Sequence, residues 1–468
     1  MEAREAKATT EARNKLEAML HRFFSGSSMD YRQVFGIIIP LFVDSAFIVL
    51  LSFLNTAMIS SSGVAAVSAV SMVDSINIFI MNLFIAVATG GTVLVAQYRG
   101  SGNQEMVAKA ASQSISSAAI VALVISLLVI LFHNPILQFL FGDADEEVLR
   151  NAKIFLIGSC ISYPFFGIYS AITGALRGVA ETKASLILSL ILNVGYFLLN
   201  ILFVIVWDLG VLGLAISIIL ARIIGTAASF FYLLRYNQSL RFKIRETLRF
   251  HRDIMKKIMY IGVPFAAEQM FFNGGKLLTQ TFIVQLGTLA ITANAIAGSL
   301  SMLFQIGGTA LSVAIITVVG QSIGRKNIED ARKFIGSFMW LSTAFFVLIT
   351  GILLLLFPWL VRLYAPPETI IPQIFALIIL ISIAQPFLWS LSFIMPSALR
   401  AAGDSKFTSI VSLLTMWLFR IVFGYLLGIT FGYGLMGIWI AMVAEWGVRS
   451  LIFYIRFRGE KWYKHKLV

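Results

Sequence analysis

Long apolar runs along the whole chain constrain this sequence more than any motif does. A helix needs about 20 mostly apolar residues to cross a bilayer. Only 13% of the 468 residues are charged, about half the share of a soluble protein, and the mean hydropathy is +0.88. The sequence therefore predicts an all-α polytopic membrane protein. Its twelve spans are predicted at 34–60, 68–98, 106–133, 148–176, 183–207, 210–235, 254–286, 290–320, 328–357, 370–399, 406–430 and 432–457.

The basic residues are distributed unevenly between the two sides of these spans. Only Arg150, Lys153 and Arg362 lie near the side opposite the termini, where DADEE occupies 143–147. Since Lys and Arg stay in the cytoplasm, both termini are predicted to be cytoplasmic, in a cell membrane. The net charge of +13 thus reflects contact with the lipid bilayer, and no nucleic-acid partner is predicted. The first 30 residues lack a signal peptide's apolar region and predict an amphipathic helix or a disordered arm.

The second half of the chain repeats the first at an offset of 224 residues. The matched pairs include Pro40 and Pro264, Asp44 and Glu268, Gln97 and Gln321, and Gly210 and Gly434. Six spans per half make the repeats parallel, with a ligand site expected between them near the midplane. This pattern favours a transporter over an anchor or a receptor. The predicted parts are an arm (1–33), an N-lobe (34–235), a basic linker (236–253), a C-lobe (254–457) and a tail (458–468).

Two acidic residues inside the apolar runs are the leading functional candidates. A charge within a bilayer costs several kcal/mol unless it is paired or hydrated. Asp44 and Glu268 each follow a helix-interior proline by four residues, and Pro40 and Pro264 are predicted hinges because each frees a backbone carbonyl. The repeat predicts that the two acids face each other across the pseudo-axis. The alternative is that each caps the broken turn or pairs with a nearby arginine.

Two further charged residues are candidates for contact with cations or cargo. Lys276 follows Glu268 by eight residues, two turns or roughly 12 Å along one helix. It is predicted to release cationic cargo or to exchange partners with Glu268; the alternative is a snorkelling or statically paired lysine. Asp74 is predicted to line the cavity, or else to pair with a polar neighbour.

The remaining intramembrane charges predict a structural network. Glu445 and Arg449 are spaced i,i+4 on span 12, and Arg420 at the middle of span 11 needs an acid, with Glu445 the expected partner. Arg222 is expected to belong to a similar network. Further cavity candidates are Tyr196, Met270, Phe271, Phe272, Gln280, Met302 and Gln305.

Enzyme and channel functions are not supported by the sequence. The four histidines lie near or beyond the predicted membrane faces, and no zinc-protease or serine-hydrolase motif is present. No nucleotide-binding motif is present, so transport must be secondary and no cofactor beyond a coupling ion is expected. Twelve dissimilar spans offer no symmetric channel filter.

Several segments, taken in their order and spacing, carry a resemblance to a known family. They are ATGGTVLVAQYRGSGN (88–103), GVPFAAEQ (262–269), VVGQSIGRKNIEDA (318–331) and ALRAAGDSK (398–406). Over about residues 30–462 the chain resembles the bacterial type of the multidrug and toxic compound extrusion (MATE) family. The resemblance implies a V-shaped pair of lobes with a central cavity. It also implies a monomeric antiporter that exports organic cations and drugs in exchange for H⁺ or Na⁺ by alternating access.

The chain departs from the family pattern at its N-lobe site. The family usually has an aspartate in span 1 where this chain has Asn55, and Tyr196 and Asn200 occupy the matching span 5 positions. An amide can offer a carbonyl to a cation but cannot take up a proton near neutral pH. Coupling is therefore assigned to Asp44 and Glu268, with Glu268 preferred because Lys276 shares its helix. The alternative function is a flippase for a lipid-linked or amphipathic substrate in the same superfamily.

Overall fold

Helices account for all regular secondary structure in the described part of the chain. The computed structural model describes residues 14–15, 17–59, 63–142, 144–242 and 244–468; the side chains at 53, 56, 57, 59, 64, 248 and 303–305 lie outside this description. The long helices are α1 (Tyr31–Ile59), α2 (Val64–Gly100), α3 (Gln104–Leu131), α4 (Glu146–Gly178), α5 (Thr182–Asn200), α6 (Gly210–Arg235), α7 (Arg252–Gln285), α8 (Thr288–Gly324), α9 (Ile328–Leu363), α10 (Ile371–Trp389), α11 (Ser405–Thr415) and α12 (Gly434–Arg458).

Three of these helices continue through wider π-helical turns. Helix α5 extends through Ile201–Val206, and α10 extends through Ser390–Ile394 into Met395–Ala401. Helix α11 continues through Met416–Phe423 and Leu426–Thr430. Such turns are uncommon and often accompany functional positions. In this protein they lie in the second halves of the predicted spans 5, 10 and 11.

The predicted all-α membrane architecture is confirmed. Among the described residues, eleven helices are long and apolar enough to cross a membrane, and α7 is the long helix that is not among them. Its central part carries Glu268 and Lys276 together with amides and glycines, which lower its hydropathy. Helices α4 and α10 also reach further than the predicted ends at 176 and 399. This brings Arg177 and Arg400 inside the helical segments.

The apolar core is shared by the two lobes on one side of the molecule and divided on the other. Near the chain termini, one cluster combines N-lobe residues such as Val93 with C-lobe residues such as Val319. On the opposite side, one cluster around Phe155 belongs to α2–α6, and another around Phe346 belongs to α7–α12. The lobes therefore join on the terminal side and diverge toward the far side, which gives a V with its cleft open to the far side.

Helices α2 and α8 hold the joined side together by close backbone approach. A Cβ added to Gly100 would lie 2.0 Å from the carbonyl oxygen of Gln321, and one added to Gly324 would lie 1.9 Å from that of Gln97. These distances are far below van der Waals contact. Only glycine permits this crossing, and each lobe contributes one.

Two glutamines add reciprocal hydrogen bonds across the same crossing. Gln97 Nε2 donates to the Ala401 carbonyl of the C-lobe at 2.7 Å, and Gln321 Nε2 donates to the Gly178 carbonyl of the N-lobe at 2.9 Å. Both side chains are buried. We refer to Gln97, Gly100, Gln321 and Gly324 together as the seam.

The chain ends and the linker pack against the terminal side. Residues 17–24 are helical, and the following loop places Ser28 in hydrogen bonds to Asp330 on α9. The predicted arm is thus helical over this part, while residues 1–13 lie outside the described chain. The linker forms a short helix (Ile244–Leu248), and Gln113 on α3 donates to the Arg249 carbonyl at 2.5 Å.

Candidate functional site

Asp44 lies on α1, one turn after Pro40, and pairs with an arginine of its own lobe. Arg177, at the end of α4, approaches Asp44 Oδ2 at 3.3 Å and donates from Nε to Ser185 at 2.9 Å. Asp44 is 4% exposed. Its second oxygen, Oδ1, is buried and accepts no hydrogen bond of ordinary length among the described residues, although the Ser189 hydroxyl interacts with the carboxylate. A buried carboxylate with one orphaned oxygen retains the capacity to accept a cation.

Glu268 lies on α7, one turn after Pro264, and has more hydrogen-bond donors than Asp44 has. Arg400 Nη2 donates to Glu268 Oε2 at 2.9 Å, and Ser409 Oγ donates to the same oxygen at 2.9 Å. The expectation that Lys276 is its charge partner is wrong in this structure. Arg400 is buried beside the carboxylate, with its guanidinium 3.7 Å from the Phe265 ring centroid, whereas Lys276 is two turns away.

Each acid thus has its partner inside its own lobe instead of facing the other acid. The two pairs are related by the repeat: Arg177 and Arg400 both end an Ala-Leu-Arg sequence, one in each half. Sequence reasoning missed both arginines because the predicted spans ended one residue before each of them. The repeated Ala-Leu-Arg beside a repeated intramembrane acid was a signal that could have found them.

The amides at the altered N-lobe site lie together. Asn200 Nδ2 donates to Asn55 Oδ1 at 3.1 Å, between α5 and α1. Asn200 is 1% exposed, and its own Oδ1 has no donor among the described residues. Tyr196 lies one turn earlier on the same face of α5 and interacts with Asn200. The carbonyl oxygens offer ligands for a cation, but the pair carries no charge.

Asp74 on α2 is exposed and is hydrogen-bonded to a row of buried polar side chains. Asn77 Nδ2 donates to Asp74 Oδ1 at 3.2 Å, and Tyr163 Oη donates to Asn77 Oδ1 at 2.5 Å. Arg222 on α6 donates to Ser162 at 2.6 Å and acts on Asp74 only at longer range. Asp74 is therefore the exposed acid of the N-lobe wall, fixed by an amide and not by an arginine.

The C-lobe network sits where α10 and α11 have π-helical turns. Glu445 on α12 is completely buried and forms two ion pairs, with Oε2 2.6 Å from Arg420 Nε and Oε1 3.0 Å from Arg449 Nη1. Arg420 lies within the turn Met416–Phe423, and Arg449 Nε donates to Ser392 in the turn Ser390–Ile394 at 2.5 Å. Two cations share one acid here.

The polar face of α7 lines the cleft. Near the terminal side, Gly262 packs against Val87 of α2, so this face of α7 looks toward the N-lobe. Residues at helical spacing from it continue the same face toward the far side. They are Gln269, Asn273, Lys276 and Gln280.

The other cavity candidates fall on different faces of the bundle. Phe272 lies under the Lys276 amine, which is 4.8 Å from its ring centroid. Met270, Phe271 and Met302 have exposed side chains. The side chain of Gln305 lies outside the described residues.

Comparison with known proteins matches this arrangement. The MatE family model matches residues 40–206 and 264–426, so the two matched stretches begin at the two prolines. The chain is 28% identical to an uncharacterized transporter, YisQ, of Bacillus subtilis, covering 92% of this chain and 94% of that protein. It is 25% identical to a probable multidrug resistance protein, NorM, of Thermotoga maritima, covering 93% and 94%.

A solved structure shares the fold. An outward-facing multidrug resistance MATE family transporter superposes with a TM-score of 0.84 at 16% identity, over 91% of this chain and 94% of that one. At that identity the likeness speaks for the fold alone. The family model, however, covers well over half of the chain in two repeated stretches. The chain therefore belongs to the MatE family, a family of membrane transporters and not of enzymes.

Proposed function

We propose that this protein is a secondary active exporter of small amphipathic organic compounds, working by alternating access in the cell membrane. The observation that supports this most directly is the division of the apolar core, shared on the terminal side and split on the far side. Two lobes of this kind can rotate against each other as rigid bodies, so that one side of the cleft closes while the other opens. The sequence carries no nucleotide-binding motif, so the proposed energy source is an ion gradient.

The cleft between the lobes is the proposed binding site. Relatives named as multidrug resistance proteins support drug-like cargo. Asp74 is exposed on the N-lobe wall and is fixed by Asn77, which suits it to an organic cation. With the basic residues assigned to the cytoplasm, the terminal side faces inward and the cleft opens outward.

Asp44 and Glu268 are proposed to couple transport to H⁺ or Na⁺. Each acid is paired with an arginine, so an incoming cation must compete with the guanidinium. Asp44 is the better candidate because its ion pair is long, at 3.3 Å, and its Oδ1 is orphaned. One oxygen of Glu268 already accepts from two donors. Asp44 is therefore preferred to Glu268 as the coupling residue, the reverse of the preference based on the sequence. Pro40 and Pro264 are the proposed hinges beside these acids.

The test is transport by purified protein in liposomes, with ethidium as the organic cation and an H⁺ or Na⁺ gradient imposed separately. Wild type should export ethidium under one of these gradients. Asp44→Asn should reduce gradient-driven export at least about tenfold, since it removes the charge that recruits the coupling ion. Glu268→Gln should be impaired less strongly.

Asp208→Asn is the matched control, because Asp208 is exposed in the loop between α5 and α6 and should transport as wild type does. Equilibrium ethidium binding distinguishes lost coupling from misfolding, and both variants should still bind. Wild-type gradient-driven export by the Asp44→Asn, Glu268→Gln double variant would rule out these acids as the coupling site and redirect the assignment to Asp74 or Glu445.

A further inference from the structure

The C-lobe wall of the cleft carries more positive than negative charge. Arg420 and Arg449 share the single buried acid Glu445, which leaves one positive charge in excess. Lys276 is within electrostatic reach of Arg420 and Glu445 and adds a second. The pair formed by Glu268 and Arg400 is neutral and does not alter this balance. On the N-lobe wall, by contrast, Asp74 and Arg222 cancel.

Lys276 is the exposed member of this group. Its amine lies 4.8 Å from the Phe272 ring centroid, and no ion pair or hydrogen bond to it occurs among the described residues. It is nine residues before the end of α7 at Gln285, roughly 14 Å at 1.5 Å per residue. A lysine side chain is too short to bridge that distance, so its amine stays in the cleft instead of snorkelling to the far surface.

Buried donors behind Lys276 also lack acceptors. Arg449 is 2% exposed, and its Nη2 has no acceptor among the described residues; the same holds for Nε1 of Trp446 on the same helix. Phe272 lies between the lysine and the network, with the Arg420 guanidinium 5.3 Å from its ring centroid. The unbalanced positive charge behind Phe272 would therefore attract an anionic group bound at Lys276.

The excess is specific to the C-lobe. The 224-residue repeat places Ser52 at the position of Lys276, Tyr196 at that of Arg420 and Gly225 at that of Arg449. The fold of a lobe therefore does not require these cations. Their presence in one half indicates a role in what that half binds.

We propose that the C-lobe wall of the cleft, at Lys276 and Phe272, binds the anionic group of amphipathic cargo. The cargo class is organic carboxylates, sulfonates or phosphates with an apolar body, including zwitterions whose cationic end reaches Asp74. Lys276 supplies the charge-assisted hydrogen bond, and Phe272 supplies apolar contact. This inference rests on the proposed function only in taking the cleft as the binding site.

The test compares dansylglycine, a carboxylate, with dansylcadaverine, a cation that carries the same fluorophore. Equilibrium binding is measured on full-length protein in nanodiscs with no ion gradient. Lys276→Gln should weaken dansylglycine binding at least about tenfold and leave dansylcadaverine binding unchanged or stronger. Lys276→Glu should reverse the preference. Lys256→Gln removes an exposed lysine near the start of α7 and should change neither affinity.

The outcomes separate this inference from the proposed function. Unchanged dansylglycine affinity in Lys276→Gln overturns the anion site, even if gradient-driven export is intact. A selective loss of dansylglycine binding supports the site, even if no gradient drives export. Equal weakening of both probes by Lys276→Gln would show a structural role for Lys276 and would also overturn the proposal.

Discussion

Asn55 and Asn200 form an uncharged, hydrogen-bonded pair of amides between α1 and α5. Asn55→Ala should weaken transport modestly and leave its pH profile unchanged, because neither amide exchanges a proton near neutral pH. Asn55→Asp should introduce a new H⁺ or Na⁺ dependence, since a carboxylate would then face the Asn200 amide. Transport rates across pH and Na⁺ concentration measure both effects.

Asn193→Asp provides the control for this residue. Asn193 lies two turns before Asn200 on α5 and bonds only within its own helix, to Ser189. A carboxylate there should add no ion dependence. If Asn55→Ala abolished coupling altogether, the assignment of coupling to Asp44 and Glu268 would be contradicted.

Sequence analysis could identify only those site residues whose unusual environment shows in the order of residues along the chain. Asp44 and Glu268 interrupt long apolar runs, so hydropathy and the repeat identify them. Their partners Arg177 and Arg400 lie at helix ends, where an arginine ordinarily marks the cytoplasmic boundary. Only the three-dimensional approach of the end of α4 to α1, and of the end of α10 to α7, shows that these guanidinium groups turn inward.

At the scale of whole helices, the crossing of α2 and α8 holds the two lobes together on the terminal side. Gly324→Ala would place a Cβ against the Gln97 carbonyl, and backbone cannot move aside as a flexible side chain can. The cost is roughly 1–3 kcal/mol, the range for overpacking, which is about 5- to 150-fold in a two-state equilibrium. The variant should favour the state that is open on the terminal side, since the seam is broken there.

Electron–electron distances between spin labels measure this shift. Labels at Asp145 and Tyr433, in a Cys160→Ser background, report the separation of the lobes on the far side and should come closer in Gly324→Ala. Gly298→Ala is the control on the same helix, because its added Cβ meets nothing within 4 Å. A distance distribution identical to wild type in Gly324→Ala would show that the seam does not set the equilibrium.

The positions of the long helices followed from hydropathy, but their π-helical turns did not. The stretch Met416–Phe423 is mostly apolar, and no residue type in it signals a wider turn. Arg420 lies within this turn and reaches Glu445 on α12. Buried ion pairs of this kind are tertiary and leave no periodicity in the sequence.

For the whole molecule, the distribution of basic residues predicts the orientation of the chain in the membrane. Cysteines placed at Gln238 in the linker and at Asp145 before α4, each in a Cys160→Ser background, should label from opposite sides of the membrane. Gln238 should react from the cytoplasm, because the linker belongs to the basic side. An impermeant maleimide applied to intact cells and to inverted vesicles measures this. Labelling of both positions from one side would contradict the twelve-span topology.

The seam has an electrical consequence for the intact cell. Its cross-lobe hydrogen bonds join carboxamides to backbone carbonyls, and all of these groups are neutral. A membrane potential performs work of about 2.3 kcal/mol per elementary charge per 100 mV, but only on charges that move through the field. Voltage therefore does no work on opening or closing the seam itself. Any voltage sensitivity of the transport cycle must come from the coupling ion, from the cargo, or from charged side chains that move together with them.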